Sequence, residues 1–553
     1  MEAPEIHNPM KWSNLERIVH PTWPALALLA SLTIVVYAIP RGLDLTDESL
    51  YVLLAQTDAP RSLSVIHSQL LFQGLESITG VTLGIRGLRA ARLALLLIST
   101  SWLAWVLSRS VGQEKKALFL SAALAFCFLQ YTGNGRIFSL GYNSINWTCG
   151  AVFLASWVRW VRDARPRAPL GMGVALAVMW ITKFPSAVLM GGLGILVAMF
   201  HPEVRGPRLF RAMGLALIPF IGIMILAPLG GHEVWPWAYL DTMAASQDEK
   251  HATGSLLLHS LKQIARAYLP LVPVAILGIL GRRHRARDTH DTWVIMALTG
   301  AFVGVACLDL MTLRNFRMLY WWLSAALLTW SWSRAKSSSQ RLAGLLFLLA
   351  PIGLTMGTDV GWPGHLMPVS GLMFIAALWL APKGWGSLAC LAVPLLILPD
   401  IGLHPYRQAP LSKASHSLVF RGTGETLLLS SAAQHYLDSI QWLTAPYPVP
   451  LIGSDRFYGE MLSHSPHNVS GLLWSAESLA PTHIADWNDH DSLLFGLCNS
   501  TERQLFQDAM DGFEWTPLGK VDRRPYLNET GRYGWGIPAQ NAHVELFLLT
   551  QSP

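Results

Sequence analysis

Asp44, Asp47 and Glu48 stand within five residues of one another, in the stretch LDLTDESLYVLL that follows an apolar run from Trp23 to Ile39. Adjacent carboxylates can divide a reaction between them. One takes the proton of an attacking hydroxyl or amine. The other orients it, or the two share a divalent ion that neutralises a phosphate leaving group. At about 100° per residue, Asp44, Asp47, Glu48, Tyr51 and Ala55 fall on one arc of a helix, and Leu45, Leu50, Val52, Leu53 and Leu54 fill the rest. The pattern predicts an amphipathic helix lying in a membrane interface, acids on its narrow polar edge. A solvated acidic face is the plainer alternative. The wide apolar arc and the direct tether to an apolar run weigh against it.

Cations that suit a phosphate occur at two other places. Lys183 lies in ITKFP, at the end of a short apolar run, where Pro185 breaks the helix and lets the ammonium face inward rather than snorkel to headgroups. Arg314 and Arg317, in LRNFRMLYWW, are three residues apart and share a helix face, a spacing that lets both reach one phosphate. The alternative for this pair is structural, with nearby acids. Asp359 and His365, in GTDVGWPGHLMP, are candidates for contacts to a sugar at a cavity rim, or for packing against the chain's tail. No CxxC, HExxH or glycine-rich phosphate loop is present, and the five cysteines are scattered.

The elements that must position these groups are membrane helices. Hydrophobic residues make up 52% of the 553-residue chain and charged residues 14%, against about 25% charged in soluble domains. Apolar runs predict thirteen spans: 23–39, 93–108, 117–131, 143–158, 170–182, 185–200, 213–230, 265–280, 292–311, 318–333, 342–357, 364–381 and 386–403. The net charge of +6 sits in alternate short loops, such as Arg159 to Arg167 and Arg205 to Arg211, and not in a stripe suited to nucleic acid. By the positive-inside rule the N-terminus is then cytoplasmic and the tail lies on the outer side. The chain divides into a transmembrane domain, 1–403, with outer loops at 41–92 and 231–262, and a soluble domain, 404–553. In the tail, PVPLIGSD, DSLLFGLC and HVELFLLTQ read as strands, and TLLLSSAAQHYLDSIQWL and STERQLFQDAM as helices, which predicts a small α/β domain.

The Asp-Glu-x-x-Tyr signature at Asp47, Glu48 and Tyr51, in a first outer loop, resembles that of the GT-C glycosyltransferases. The overall layout is similar to the protein O-mannosyltransferase-like enzymes and the lipid A aminoarabinose transferases. The resemblance implies a GT-C-like fold, with juxtamembrane helices and a periplasmic C-terminal domain, in a bacterial inner membrane. It implies a sugar donor linked to polyprenyl phosphate, of the undecaprenyl kind in such a cell envelope, and a lipid, glycan or protein acceptor. Asp47 takes the place of the family's catalytic aspartate, with Glu48 its partner. Either could hold a divalent ion (Mg, Mn or Zn). Asp44 and Tyr51 flank them on the substrate side. His67, in HSQLLF, stands where relatives carry a basic residue, though Ser68 and Gln69 replace two prolines. Lys183 corresponds to a lysine that meets the lipid phosphate, with Phe184 in place of a glycine. Arg314 and Arg317 match a phosphate-contacting patch. The loop YTGNGRIFSLGYNS lacks the second aspartate of many relatives and offers Arg136, Tyr142 and Asn143 instead. The rival reading is a flippase or transporter of an amphipathic substrate, or a non-catalytic relative of the fold.

Overall fold

The computed structural model describes residues 22–43, 45, 47–55, 69–81, 83–111, 119–120, 123–124, 139–202, 204–229, 261–262, 264–265, 268–269, 271–283, 316–333, 335, 337–356, 362–380, 409–453, 457–464, 491–497, 503–510, 512–530 and 543–551. Eleven helices precede the tail among these residues: α1 Thr22–Ala38, α2 Asp47–Leu54, α3 Gln69–Thr79, α4 Ile85–Ser108, α5 Tyr142–Val161, α6 Ala168–Met199, α7 Pro207–Leu229, α8 Leu271–Arg283, α9 Phe316–Ser333, α10 Ser338–Thr355 and α11 Trp362–Leu380. By length and composition, Ile85–Ser108, Ala168–Met199 and Pro207–Leu226 are long and apolar enough to cross a membrane. The expected spans 292–311 and 386–403 lie outside the described residues, as does nearly all of 117–131 and of the loop 231–262.

Helix α6 is a hairpin. Lys183 leaves helical geometry at φ −159°, ψ 76°, and Pro185 follows. Proline has no N–H and its ring crowds the preceding turn, so the ladder breaks there. A straight helix would hold Leu176 and Gly191 about 22 Å apart at 1.5 Å per residue. Instead a Cβ added to Gly191 would lie 3.5 Å from the Leu176 side chain. Both arms meet the same turn of α5, since Gly171 abuts Ser156 and the Trp157 indole donates to the Gly194 carbonyl at 3.1 Å. The two runs expected at 170–182 and 185–200 thus lie side by side, with Lys183 at the tip.

Helix α4 begins at Ile85, eight residues before the expected span at 93–108, so the first outer loop is shorter than 41–92. The apolar run is masked in sequence by Arg86, Arg89 and Arg92. Arg89 and Arg92 are nevertheless buried, and Arg89 is neutralised by an acid brought from 41 residues earlier.

The tail carries two sheets. Strands β1 His416–Phe420 and β2 Glu425–Leu429 form an antiparallel hairpin, followed by helix α12 Ser431–Thr444. A four-stranded sheet has the order β3-β4-β6-β5, with β3 Leu451–Gly453, β4 Ser492–Leu497, β5 Phe513–Asp522 and β6 His543–Gln551. β3 runs parallel to β4, and the other pairs are antiparallel. Helices α13 Tyr458–His464, α14 Arg503–Ala509 and α15 Arg524–Thr530 complete it. The Ser430 hydroxyl caps α12 by accepting from the Ala433 N–H at 3.3 Å, which explains why the helix starts there and leaves Thr426–Leu429 to the strand.

The tail is stitched to the first loop. Backbone bonds join Gly42 N–H to the Leu428 carbonyl at 2.8 Å, Leu428 N–H to the Pro40 carbonyl at 3.0 Å, and Gly459 N–H to the Leu45 carbonyl at 2.9 Å. One continuous core includes Val35, Leu45 and Leu50 from the front of the chain and Leu427, Leu429 and Leu462 from the tail.

Candidate functional site

The helix that carries the acids is enclosed. Glu48, Ser49, Leu50, Tyr51, Val52, Leu53 and Ala55 are all buried. The expected polar edge facing headgroups or water is therefore not what forms at Glu48, Tyr51 and Ala55. Helix α13 of the tail covers α2, and Gly459 lies so close that an added Cβ would stand 2.8 Å from the Leu45 Cα. Exposed apolar residues of the juxtamembrane kind occur instead on α3, at Leu75 and Ile78.

Glu48 is fully buried and held by Arg89. The guanidinium donates Nε to Oε1 and Nη2 to Oε2, each at 2.9 Å, and the Ser139 hydroxyl donates to Oε1 at 2.8 Å. The remaining Arg89 donors reach the carbonyls of Ile39 at 2.7 Å, Arg41 at 2.9 Å and Gly42 at 2.8 Å. Those carbonyls follow the end of α1 and have no helical partner of their own. One arginine therefore fixes the exit of α1, the first turn of α2 and the start of α4. A buried carboxylate is tolerable only with such pairing.

From Tyr51 a path of contacts leads to the hairpin tip. The Tyr51 ring meets Tyr142 edge-on, with centroids 5.9 Å apart. Gly141 lies beneath it, where a Cβ would come within 2.6 Å of the ring. The next residue, Asn143, accepts from Lys183 Nζ at 3.5 Å. The same ammonium donates to the Leu354 carbonyl at 3.3 Å, which also takes Asn146 Nδ2 at 2.8 Å and Ser186 Oγ at 3.4 Å. Leu354 sits in the last turn of α10, where unpaired carbonyls concentrate negative charge and favour a cation. Lys183 is 5% exposed, so its charge is delivered inside the protein and not to bulk water.

Among the residues named from sequence, the structure brings Glu48, Tyr51, Tyr142, Asn143 and Lys183 into this one region. Asp47 opens α2, one turn before Tyr51. Arg317 lies in the first turn of α9 and His365 in the first turn of α11. Asp44, His67, Arg136, Arg314 and Asp359 lie outside the described residues. Arg89, Ser139, Asn146 and Ser186 were not legible as participants. For Arg89 a signal existed: Arg86, Arg89 and Arg92 recur every third residue in the segment expected on the outer side, against the positive-inside trend.

Among the described residues no group of three or more His, Cys, Asp or Glu is placed to share a metal ion. Both oxygens of Glu48 already face Arg89. Glu48 as it stands is engaged by a cation already and is not poised to take up a divalent ion.

No family model matches the chain, and no curated protein matches it significantly. Among solved structures, it is similar to ArnT from Cupriavidus metallidurans in the apo state (15% identity, TM-score 0.44, covering 95% of this chain and 97% of that one). It is also similar to the same protein bound to undecaprenyl phosphate (13% identity, TM-score 0.41, covering 95% and 98%).

Proposed function

We propose that the chain is a membrane glycosyltransferase that moves a sugar from a polyprenyl-phosphate donor to a lipid, glycan or protein acceptor on the tail side of a bacterial inner membrane. The observation that carries the reading is the buried Lys183 at the hairpin tip, linked through Asn143, Tyr142 and Tyr51 to the helix that begins at Asp47. A concealed cation beside a carboxylate-bearing helix suits a reaction in which an anion departs while a proton is taken.

In this scheme Asp47 removes the proton from the acceptor hydroxyl or amine. The acceptor atom bonds to the anomeric carbon as the bond from that carbon to the phosphate oxygen breaks. The electron pair leaves with the polyprenyl phosphate, and a single in-line displacement inverts the anomeric centre. Lys183 stabilises the growing phosphate charge. Such preorganised stabilisation is worth about 10²–10³ in rate per donor, and general base catalysis about 10²–10⁴. Glu48 acts as a positioning residue, because Arg89 and Ser139 occupy its oxygens. Arg314 and Arg317 add donor-phosphate contacts. Asp44, Tyr51, His67, Arg136, Tyr142, Asn143, Asp359 and His365 line the donor and acceptor.

The test supplies the purified protein with a panel of polyprenyl-phosphate sugars in lipid nanodiscs and follows released polyprenyl phosphate. Asp47→Asn is expected to lose transfer while still binding donor. Full activity in that variant removes Asp47 from the chemistry. Movement of an intact labelled donor between leaflets without bond cleavage would assign the chain to transport instead.

A further inference from the structure

A second feature lies away from the acid helix. Between α5, the two arms of α6 and α7 is a cavity of about 310 Å³, lined by apolar side chains including Trp160, Met172, Leu176, Leu209 and Ala216. Two residues of its wall, Val188 and Leu217, are half exposed on the bundle surface, so the cavity opens sideways toward lipid. Gly192, in the run MGGLG, is part of its wall, and a Cβ added there meets nothing within 4 Å.

The charge around it is lopsided. The α6 arms run away from Lys183 toward Ala168 and Met199, and at that far end stand Arg165, Arg167, Arg205 and Arg211, all exposed. Arg208 joins them at that end, donating Nη2 to the carbonyl of Trp160 at 2.7 Å. Asp163, on the same end, is taken by Arg162 at 2.6 Å. An apolar slot open to lipid, with guanidinium groups at one end, matches a molecule with a hydrocarbon chain and an anionic headgroup. Arginines used only to set topology need no such slot beside them.

We propose that this cavity and its arginine rim bind an anionic phospholipid of the leaflet opposite the tail, one acyl chain filling the slot and the phosphate meeting Arg205, Arg208 and Arg211. The site is separate from the one at Lys183. Ligand bound to the folded state alone raises thermal stability.

The experiment measures the unfolding midpoint of the full chain in detergent with added phosphatidylglycerol or, at matched acyl chains, phosphatidylcholine. Phosphatidylglycerol is expected to raise the midpoint by several degrees and phosphatidylcholine to leave it unchanged. The Arg205→Ala/Arg211→Ala double variant and Gly192→Leu, which adds bulk to the slot's wall, each lose that rise. Gly214→Leu, at another open glycine outside the cavity wall, keeps it. Equal effects of the two lipids, or no effect of either, overturn the proposal. A rise that survives Gly192→Leu and vanishes only in the arginine variant also overturns it, because the attraction is then to the surface alone.

Discussion

Arg89 and Glu48 form a two-pronged pair inside the protein, each side chain fully shielded from solvent. The pair joins α4 to α2 across 41 residues of sequence. Arg89→Met leaves the carboxylate buried without its counter-charge, a loss worth about 3–5 kcal/mol for such pairs. The variant is expected to unfold well below the parent in a thermal scan. The double variant Arg89→Met/Glu48→Leu is expected to regain most of the difference, and a double-mutant cycle measures the coupling. Simple additivity of the two single effects would show that the pair does not act as a unit.

Lys183 is expected to matter for turnover more than for folding. Lys183→Met removes the charge while keeping the stem's length, and sugar transfer should drop by about 10²-fold or more. Asn143→Ala loosens one of the ammonium's acceptors and should cost less, about tenfold, mainly in kcat. Comparable activity of Lys183→Met and the parent, with intact folding, would take Lys183 out of the reaction.

Glu425 of β2 reaches back to the first turn of α4, where its carboxylate accepts from the Arg86 N–H at 3.2 and 3.3 Å. Gly84 precedes that helix and supplies no side-chain cap, so a tail residue does the capping. An anion at a helix N-terminus stabilises by about 1 kcal/mol. Glu425→Ala is expected to lose about that amount and to make the tail more accessible to trypsin. Unchanged proteolysis would mean the backbone stitches at Gly42 and Leu45 suffice.

His464, at the end of α13, is held neutral. Burial lowers its pKa, opposed by the bond to the Val449 carbonyl at 2.9 Å and reinforced by the nearby Arg421. A histidine depressed in the folded state contributes stability that is present above its ordinary pKa of about 6.5. That contribution is lost as the pH falls from there through the folded value. The parent should therefore destabilise on acidification below about pH 6.5 more steeply than His464→Gln. Parallel midpoint-versus-pH curves would contradict this. Glu460 in the same helix moves the other way: its burial raises the carboxyl pKa, against the pull of Arg523 and Tyr436. It favours the folded state at low pH and loses that advantage as pH rises through its folded value. Comparing the histidine variant with the parent isolates the histidine from this opposite drift.

Local signals read well in this chain. The break at ITKFP, the strands LIG and SLLFGL, and the helix of RQLFQDA are all where periodicity and breakers place them. Proline chemistry and alternation act over a few residues and need no distant partner. What did not read was anything decided at long range. The start of α4 at Ile85 is hidden by three arginines, because sequence cannot show that Glu48 comes to meet Arg89 or that Glu425 caps the Arg86 N–H. The acids of α2 looked like a polar edge because nothing local says that a tail helix, over 400 residues later, will cover it. Sequence places Tyr51, the Tyr142–Asn143 pair and Lys183 in three separate stretches; their contact is a product of the hairpin and of Gly141 making room for a ring.

The stitches from Pro40, Gly42 and Leu45 to Leu428 and Gly459 also set a schedule for synthesis. The backbone partners that close over the segment bearing Asp47 are made hundreds of residues after it. The helices between them are all made before the loop can settle. A chain stalled before β2 would keep its acids and its lysine but leave α2 uncovered, so early termination yields an inserted but unfinished protein rather than a smaller working one.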